Sequence, residues 1–233
     1  AWVYRSVHFL AALGRGDLAG TLLVGHPGVT TMWLGALGLA WRRFVVPSVA
    51  SADWQAVANL ATLNVHDETT IRHLVALLPA AKTFLPPTHS LLAGVLWLLL
   101  RKLLDRPCAL AAASFVVLDP YGLALSRVLH IDALTSQFML VACLAALAHA
   151  RAPNRTSRPY LLVSGAALGL AALTKSYGVL VAPAVALFWL VGWCRRASSR
   201  PAAAQQHGTP SQVAPRPPRR PAILSWARDV VLW

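Results

Sequence analysis

The sequence predicts an all-α chain: a polytopic transmembrane helical bundle with extracytoplasmic juxtamembrane helices. Three observations predict it. Of 233 residues, 57% are hydrophobic and only 12% are charged, about half the charged share of an ordinary soluble domain. The apolar residues gather in runs close to the ~20 residues that cross ~30 Å of hydrocarbon. The basic residues fall in alternate connections between those runs.

Five such runs follow one another, over roughly 84–100, 107–125, 131–150, 160–174 and 177–194. In lipid only a helix satisfies its own backbone, so each is read as a helix. Arg101, Lys102 and Arg106 follow the first run, Arg151, Arg155 and Arg158 the third, and Arg195, Arg196, Arg200, Arg216, Arg219 and Arg220 the fifth. The excess of positive charge makes these connections cytoplasmic. The loop from Arg127 to Asp132 and the turn at Lys175 then face outward. The domain reading is a first-loop region over 1–81, five transmembrane helices over 82–194, a cytoplasmic Pro- and Arg-rich linker over 195–222, and the start of a further span over 223–233. Within 1–81, WLGALGLAW is apolar but too short to cross, and ends in Arg42 and Arg43. It reads as an interfacial helix lying on the membrane. The chain begins at Ala1 without methionine and ends inside an apolar run, so it reads as an internal piece of a longer protein.

The net charge of +13 does not indicate nucleic acid, because the basic residues punctuate apolar runs instead of covering a polar fold. Cys108, Cys143 and Cys194 have no metal-ligand spacing and read as small apolar residues. No phosphate-binding glycine loop and no GxSxG elbow is present. The informative residues are the few acids and their neighbours. Asp132 opens the third run beside His130 and five residues after Arg127. It is either a helix cap paired with Arg127 or part of a substrate path at the membrane boundary. Asp119 with Pro120 either breaks the second helix near its outer end or pairs with Arg127. Lys175, in TKSYG, is a lone cation between two apolar runs, either snorkelling or meeting an anion. His66, Asp67, Glu68 and His73 could be grouped as metal ligands, but Asp67-Glu68-Thr69 fits the exposed first turn of a helix better. An enzyme without a nucleotide site, with polar groups facing outward, suits a membrane-delivered sugar phosphate.

The order of the pieces AWVYRSVHFLAALGRGDLAGTLLVGHPG, WLGALGLAWRRF, LLRKLLDRPCALAAASFVVLDP, SRVLHIDAL and GLAALTKSYGVLVAPAVALF resembles the GT-C superfamily of lipid-phosphate-sugar-dependent glycosyltransferases. The nearest branch resembles the family 39 group, which holds protein O-mannosyltransferases and the aminoarabinose transferases of lipid A. The resemblance implies an inverting transfer of sugar from a polyprenyl-phosphate donor to an acceptor hydroxyl, on the outer face of an integral membrane protein, such as a bacterial plasma-membrane enzyme. It implies a catalytic Asp-Glu pair upstream of Ala1, so the fragment alone is expected to be inactive. Asp132 matches the acidic residue of the second outer loop, near the donor phosphate, and is the candidate catalytic position, with a divalent metal as the one cofactor it could take. Donor phosphate contacts fall to Arg127, Lys175, His26 and His130. His26-Pro27 resembles the Lys/His-Pro-Pro turn with Gly28 in place of the second proline, and Ser176-Tyr177 stands where Gly-Pro is common. Lys82 stands near the place of a usual arginine. The competing reading is a non-catalytic transporter or flippase subunit for a lipid-linked or anionic substrate. No internal repeat supports it, and the charged groups cluster at one face.

Overall fold

The computed structural model describes residues 1–23, 28–46, 51–152 and 158–205. Among the described residues all regular structure is helical. Residues 1–196 form one compact unit. Of residues 197–233, the described part is the end of the last helix, which runs to Gln205. Helix therefore extends into the stretch expected to be linker. The remainder of that linker and the expected further span over 223–233 lie outside the described residues.

Four helices precede the first long apolar run: α1 (Trp2–Gly14), α2 (Val29–Val45), α3 (Ser51–Ala58) and α4 (Glu68–Ala81). Apolar residues one turn apart, Val3 and Val7 on α1 and Leu77, Ala80 and Ala81 on α4, meet Leu39, Trp54 and Val57 in a shared core. Asp67 starts α4 by accepting the backbone N–H groups of Thr69 and Thr70, as its sequence context suggested. The Thr70 and Thr69 hydroxyls donate to the same carboxylate and hold its pKa down to about 2. Across α2, Trp33, Leu37, Trp41 and Phe44 are exposed at one-turn spacing, and Arg42 and Arg43 occupy its last turn. That is the composition of a helix lying along a membrane surface.

The bundle follows: α5 (Leu85–Leu103), α6 (Arg106–Val117), α7 (Pro120–Ser126), α8 (Ile131–Arg151), α9 (Arg158–Thr174), a 3-10 turn (Ser176–Val181) and α10 (Ala182–Gln205). Prolines at the first positions of α5, α6 and α7 are pre-set for helix starts, where their missing N–H costs nothing. Among the described residues, three stretches are long and apolar enough to cross a membrane: Glu68–Leu103, Ile131–Arg151 and Ser176–Arg195. The first joins α4 to α5, so the apolar helix begins well before the expected residue 84. The α6–α7 pair qualifies jointly but bends by 56°, at Asp119-Pro120, which the sequence read either as a break or as a partner for Arg127. Helix α9 has 17 residues, about 26 Å at 1.5 Å per residue.

Helix α8 packs against α5, α7 and α9. Its contact with α9 is made by small residues, Ala142, Ala145 and Ala146 against Ala167, which let two backbones approach closely. The Ser164 hydroxyl donates to the Ala142 carbonyl at 2.9 Å. Beyond α9, Gly178 lies so near that a Cβ there would fall on the Ala171 carbonyl.

Gly178→Leu is expected to cost about 1–3 kcal/mol through overpacking, read as a lower midpoint of thermal unfolding in detergent. Asp67→Ala is expected to fray the start of α4, seen as faster hydrogen exchange at Thr69 and Thr70. Because the Asp67 pKa is depressed from 3.8 to about 2, the contribution of this cap is complete above pH 3.8. It is lost as pH falls through about 2.

Candidate functional site

Helix α8 begins just before Asp132 because His130 has extended backbone, φ −139° and ψ 156°, and its Nδ1 accepts the Asp132 N–H at 3.4 Å. Leu129, 6% exposed, anchors the preceding turn in the α1–α4 core. On the neighbouring connection, α9 stops at Thr174, and Lys175 is extended, with φ −156° and ψ 141°. These two junctions face each other. Lys175 Nζ donates to Asp132 Oδ1 at 2.6 Å, and the Tyr177 hydroxyl donates to the same oxygen at 3.1 Å. Asp132 Oδ2 lies 3.3 Å from His130 Nδ1, which donates to it when protonated there and accepts the Asp132 N–H when not. Lys175 also stands 4.6 Å from the centre of the Tyr177 ring. The Asp132 hydrogen bond pushes the Lys175 pKa upward. This stabilisation is complete below lysine's ordinary 10.5, so the pair is charged at neutral pH.

The first helices reach the same place. The Gly28 N–H donates to the Leu173 carbonyl at 3.0 Å, and the Thr30 and Thr174 hydroxyls are 2.7 Å apart. Gly28 has φ 135°, a value closed to proline, whose ring fixes φ near −65°. The departure from Pro-Pro to Pro-Gly therefore has a local cause: this turn needs both that backbone shape and the N–H.

On the other face of α8 lies a half-open cleft of about 1100 Å³ between α5, α6, α7 and α8. Its rim carries Lys82, Asp119, Tyr121 and Arg127, and its interior is mostly apolar, with Leu85, Val116 and Leu140 among the lining residues. Lys82 Nζ donates to the Arg127 carbonyl at 3.1 Å, tying the α4–α5 turn to the α7–α8 turn. The Arg127 guanidinium has no ion-pair partner among the described residues.

The structure thus brings together Asp132, Lys175 and His130 and sets Arg127 apart, in the cleft wall. The considered Asp132–Arg127 pair is replaced by Asp132–Lys175, because the α9 turn carries its lysine onto the carboxylate. Asp119 pairs with neither, since it caps α7 through the Gly122 N–H at 2.6 Å. His26 lies outside the described residues. His73 is bound to Asp53 at 2.7 Å, and no group of three or more metal-ligand side chains occurs among the described residues. The Asp132 surroundings offer one further ligand type, His130, while Oδ1 is occupied by Lys175 and Tyr177. These residues do not make a metal site. Sequence reading gave Tyr177 no role and passed over His89 and Gln137. The signal available was a hydrogen-bonding side chain isolated in an apolar run.

Replacing Lys175 by Met is expected to destabilise the fold more than the Lys175→Met/Asp132→Asn double change, because the single change strands a carboxylate. The expected coupling is about 1 kcal/mol, measured by a double-mutant cycle on unfolding in detergent.

No curated protein and no solved structure matches the chain. The sequence pattern of one family does match, over residues 88–204, half of the chain. Its description is dolichyl-phosphate-mannose-protein mannosyltransferase. The matched stretch starts within α5 and ends within α10, so it includes Arg127, Asp132 and Lys175, while the pieces of the resemblance before residue 88 lie outside it. With the all-helical bundle and its span-length apolar helices, the match places the chain in the dolichyl-phosphate-mannose-protein mannosyltransferase family, membrane glycosyltransferases of the GT-C type.

Proposed function

We propose that the chain is the donor-binding part of an inverting glycosyltransferase that takes a sugar from a polyprenyl phosphate on the extracytoplasmic side of a plasma membrane, such as a bacterial one. The observation that carries this reading is the cleft. It is mostly apolar, half open, and rimmed by an arginine that has no ion-pair partner among the described residues. A polyprenyl chain suits its interior and a phosphate its rim. Orientation is supported by Arg101, Lys102, Arg151 and Arg158 at the opposite helix ends.

In this mechanism the acceptor hydroxyl gives its proton to a carboxylate base and attacks the anomeric carbon. The bond from that carbon to the phosphate oxygen breaks, and the lipid phosphate departs with the electron pair. Arg127 meets the growing negative charge. The family resemblance puts the base in the first outer loop. Asp132, already hydrogen-bonded through Oδ1, holds Lys175 and the sugar-facing side of α8 in place. Lys175 gives one of its three N–H donors to Asp132 and keeps two for a phosphate, and His130 keeps its Nε2. His26 remains a phosphate candidate on the resemblance alone. The acceptor is any hydroxyl presented at that outer surface.

One observation favours transport instead: the bent α6–α7 pair lines the cleft, and broken helices are common at transporter sites. The deciding experiment is transfer of radiolabelled sugar from polyprenyl-phosphate donors by membranes bearing the full-length protein. Asp132→Asn is expected to lower transfer by about 100-fold, the cost of misplacing the groups it holds by about 1 Å, with insertion unchanged. Full activity in that variant would remove Asp132 from the site. Absence of transfer with every donor, together with lipid scrambling in proteoliposomes, would favour transport.

A further inference from the structure

The helix ends remote from Asp132 carry a second recess. Leu85 at the start of α5 shares a core with Leu134 near the start of α8, and Leu99 shares one with Ala145 and Ala146 further along. The two helices therefore run in the same direction, and the last turn of α5 lies at the opposite end from Asp132. There α5 passes to α6 through two residues, Leu104 and Asp105. A small half-open pocket of about 360 Å³ is lined by Trp97 and Arg101 from α5 and by Arg106 and Leu110 from α6.

The lining is graded by depth. Trp97 lies one turn before Arg101, and Leu110 one turn after Arg106. Because α6 begins where α5 ends, both arginines stand at the mouth. Both apolar side chains stand about 6 Å deeper in the span. The Arg101 guanidinium is 4.9 Å from the centre of the Trp97 ring, so it lies over one wall of the pocket. Neither arginine has an ion-pair partner among the described residues. The one carboxylate of the connection, Asp105, takes a hydrogen bond from the Cys108 thiol. An orientation signal needs only cations in the connection. It needs neither a shared recess nor an apolar floor.

We propose that the α5–α6 pocket holds the headgroup of one anionic phospholipid, with its phosphate between Arg101 and Arg106 and its glycerol and upper acyl chain against Trp97 and Leu110. Guanidinium forks match phosphate oxygens, and basic pockets between membrane helices suit anionic headgroups. A zwitterionic lipid offers the same phosphate but brings an ammonium group that two arginines repel. A free phosphate ion leaves Trp97 and Leu110 uncovered. The site stands at the other end of the helices from the cleft rim, so it does not depend on the donor reading.

The test titrates the full-length protein in detergent with phosphatidylglycerol and with phosphatidylcholine of the same chains, and counts bound lipids by native mass spectrometry. One phosphatidylglycerol is expected to be retained in preference to phosphatidylcholine. Arg101→Gln/Arg106→Gln is expected to lower that preference about tenfold or more, with the unfolding midpoint kept. Arg151→Gln/Arg158→Gln removes the same charge from the same end of the bundle, outside the pocket, and is expected to leave the preference unchanged. Equal losses in the two variants overturn the site in favour of general surface attraction. No preference in the wild-type protein, or an unchanged preference in Arg101→Gln/Arg106→Gln, overturns it as well. Displacement of the lipid by an equal concentration of inorganic phosphate overturns the lipid as occupant.

Discussion

One carboxylate organises one end of this bundle. Asp132 must sit at the start of a membrane helix, next to hydrocarbon, and an unpaired charge there is costly. The chain answers with Lys175 at 2.6 Å and Tyr177 at 3.1 Å, both from the junction after α9. Holding these three groups together requires α8 and α9 to run close and end level. Their alanine-rich contact and the Ser164 bond to the Ala142 carbonyl serve this. The α1–α4 helices are fastened to the same end through Gly28 and Thr30.

Helix α8 then divides the polar chemistry in two. Its Asp132 side turns to α9, while Ala133, Ser136, Gln137 and Leu140 face the cleft. A ligand lying in the cleft with its head over the start of α8 would touch Arg127 from one side and approach the Asp132 centre from the other. Under the proposed function, binding charge and holding charge are thus separate tasks on separate faces. Lys175 is paired, while Arg127 has no ion-pair partner among the described residues.

Most of the fold was legible because lipid leaves few options. Runs of the right length must be helices, and the arginine pattern fixes which ends go together. The five expected segments reappear as helices, with α4 and α5 joined and α6–α7 bent at Asp119-Pro120; among the described residues three of them, or four with the bent pair, are long and apolar enough to span. The Asp67 cap was legible for the same local reason: Asp followed by Glu-Thr-Thr offers a carboxylate to free N–H groups. The site was legible in part. Asp132 and Lys175 stood out as charges in apolar surroundings, but which cation meets which acid is a tertiary fact. Arg127 is five residues from Asp132 in sequence and lost to Lys175, which is 43 residues away. Tyr177, His89 and Gln137 were hidden because uncharged polar residues are common in spans, and nothing local says that two of them will meet across helices.

Helix α9 carries a further consequence. Its ~26 Å length is less than the ~30 Å of an average hydrocarbon layer. A bilayer meets such a mismatch by thinning locally. The thinning would be centred on the helix that ends at Thr174, beside Lys175 and Asp132. Headgroups there would stand lower than elsewhere around the protein, and water would follow them. The reacting ends of a lipid and a hydrophilic acceptor could then meet at the level of the site without either leaving its own phase.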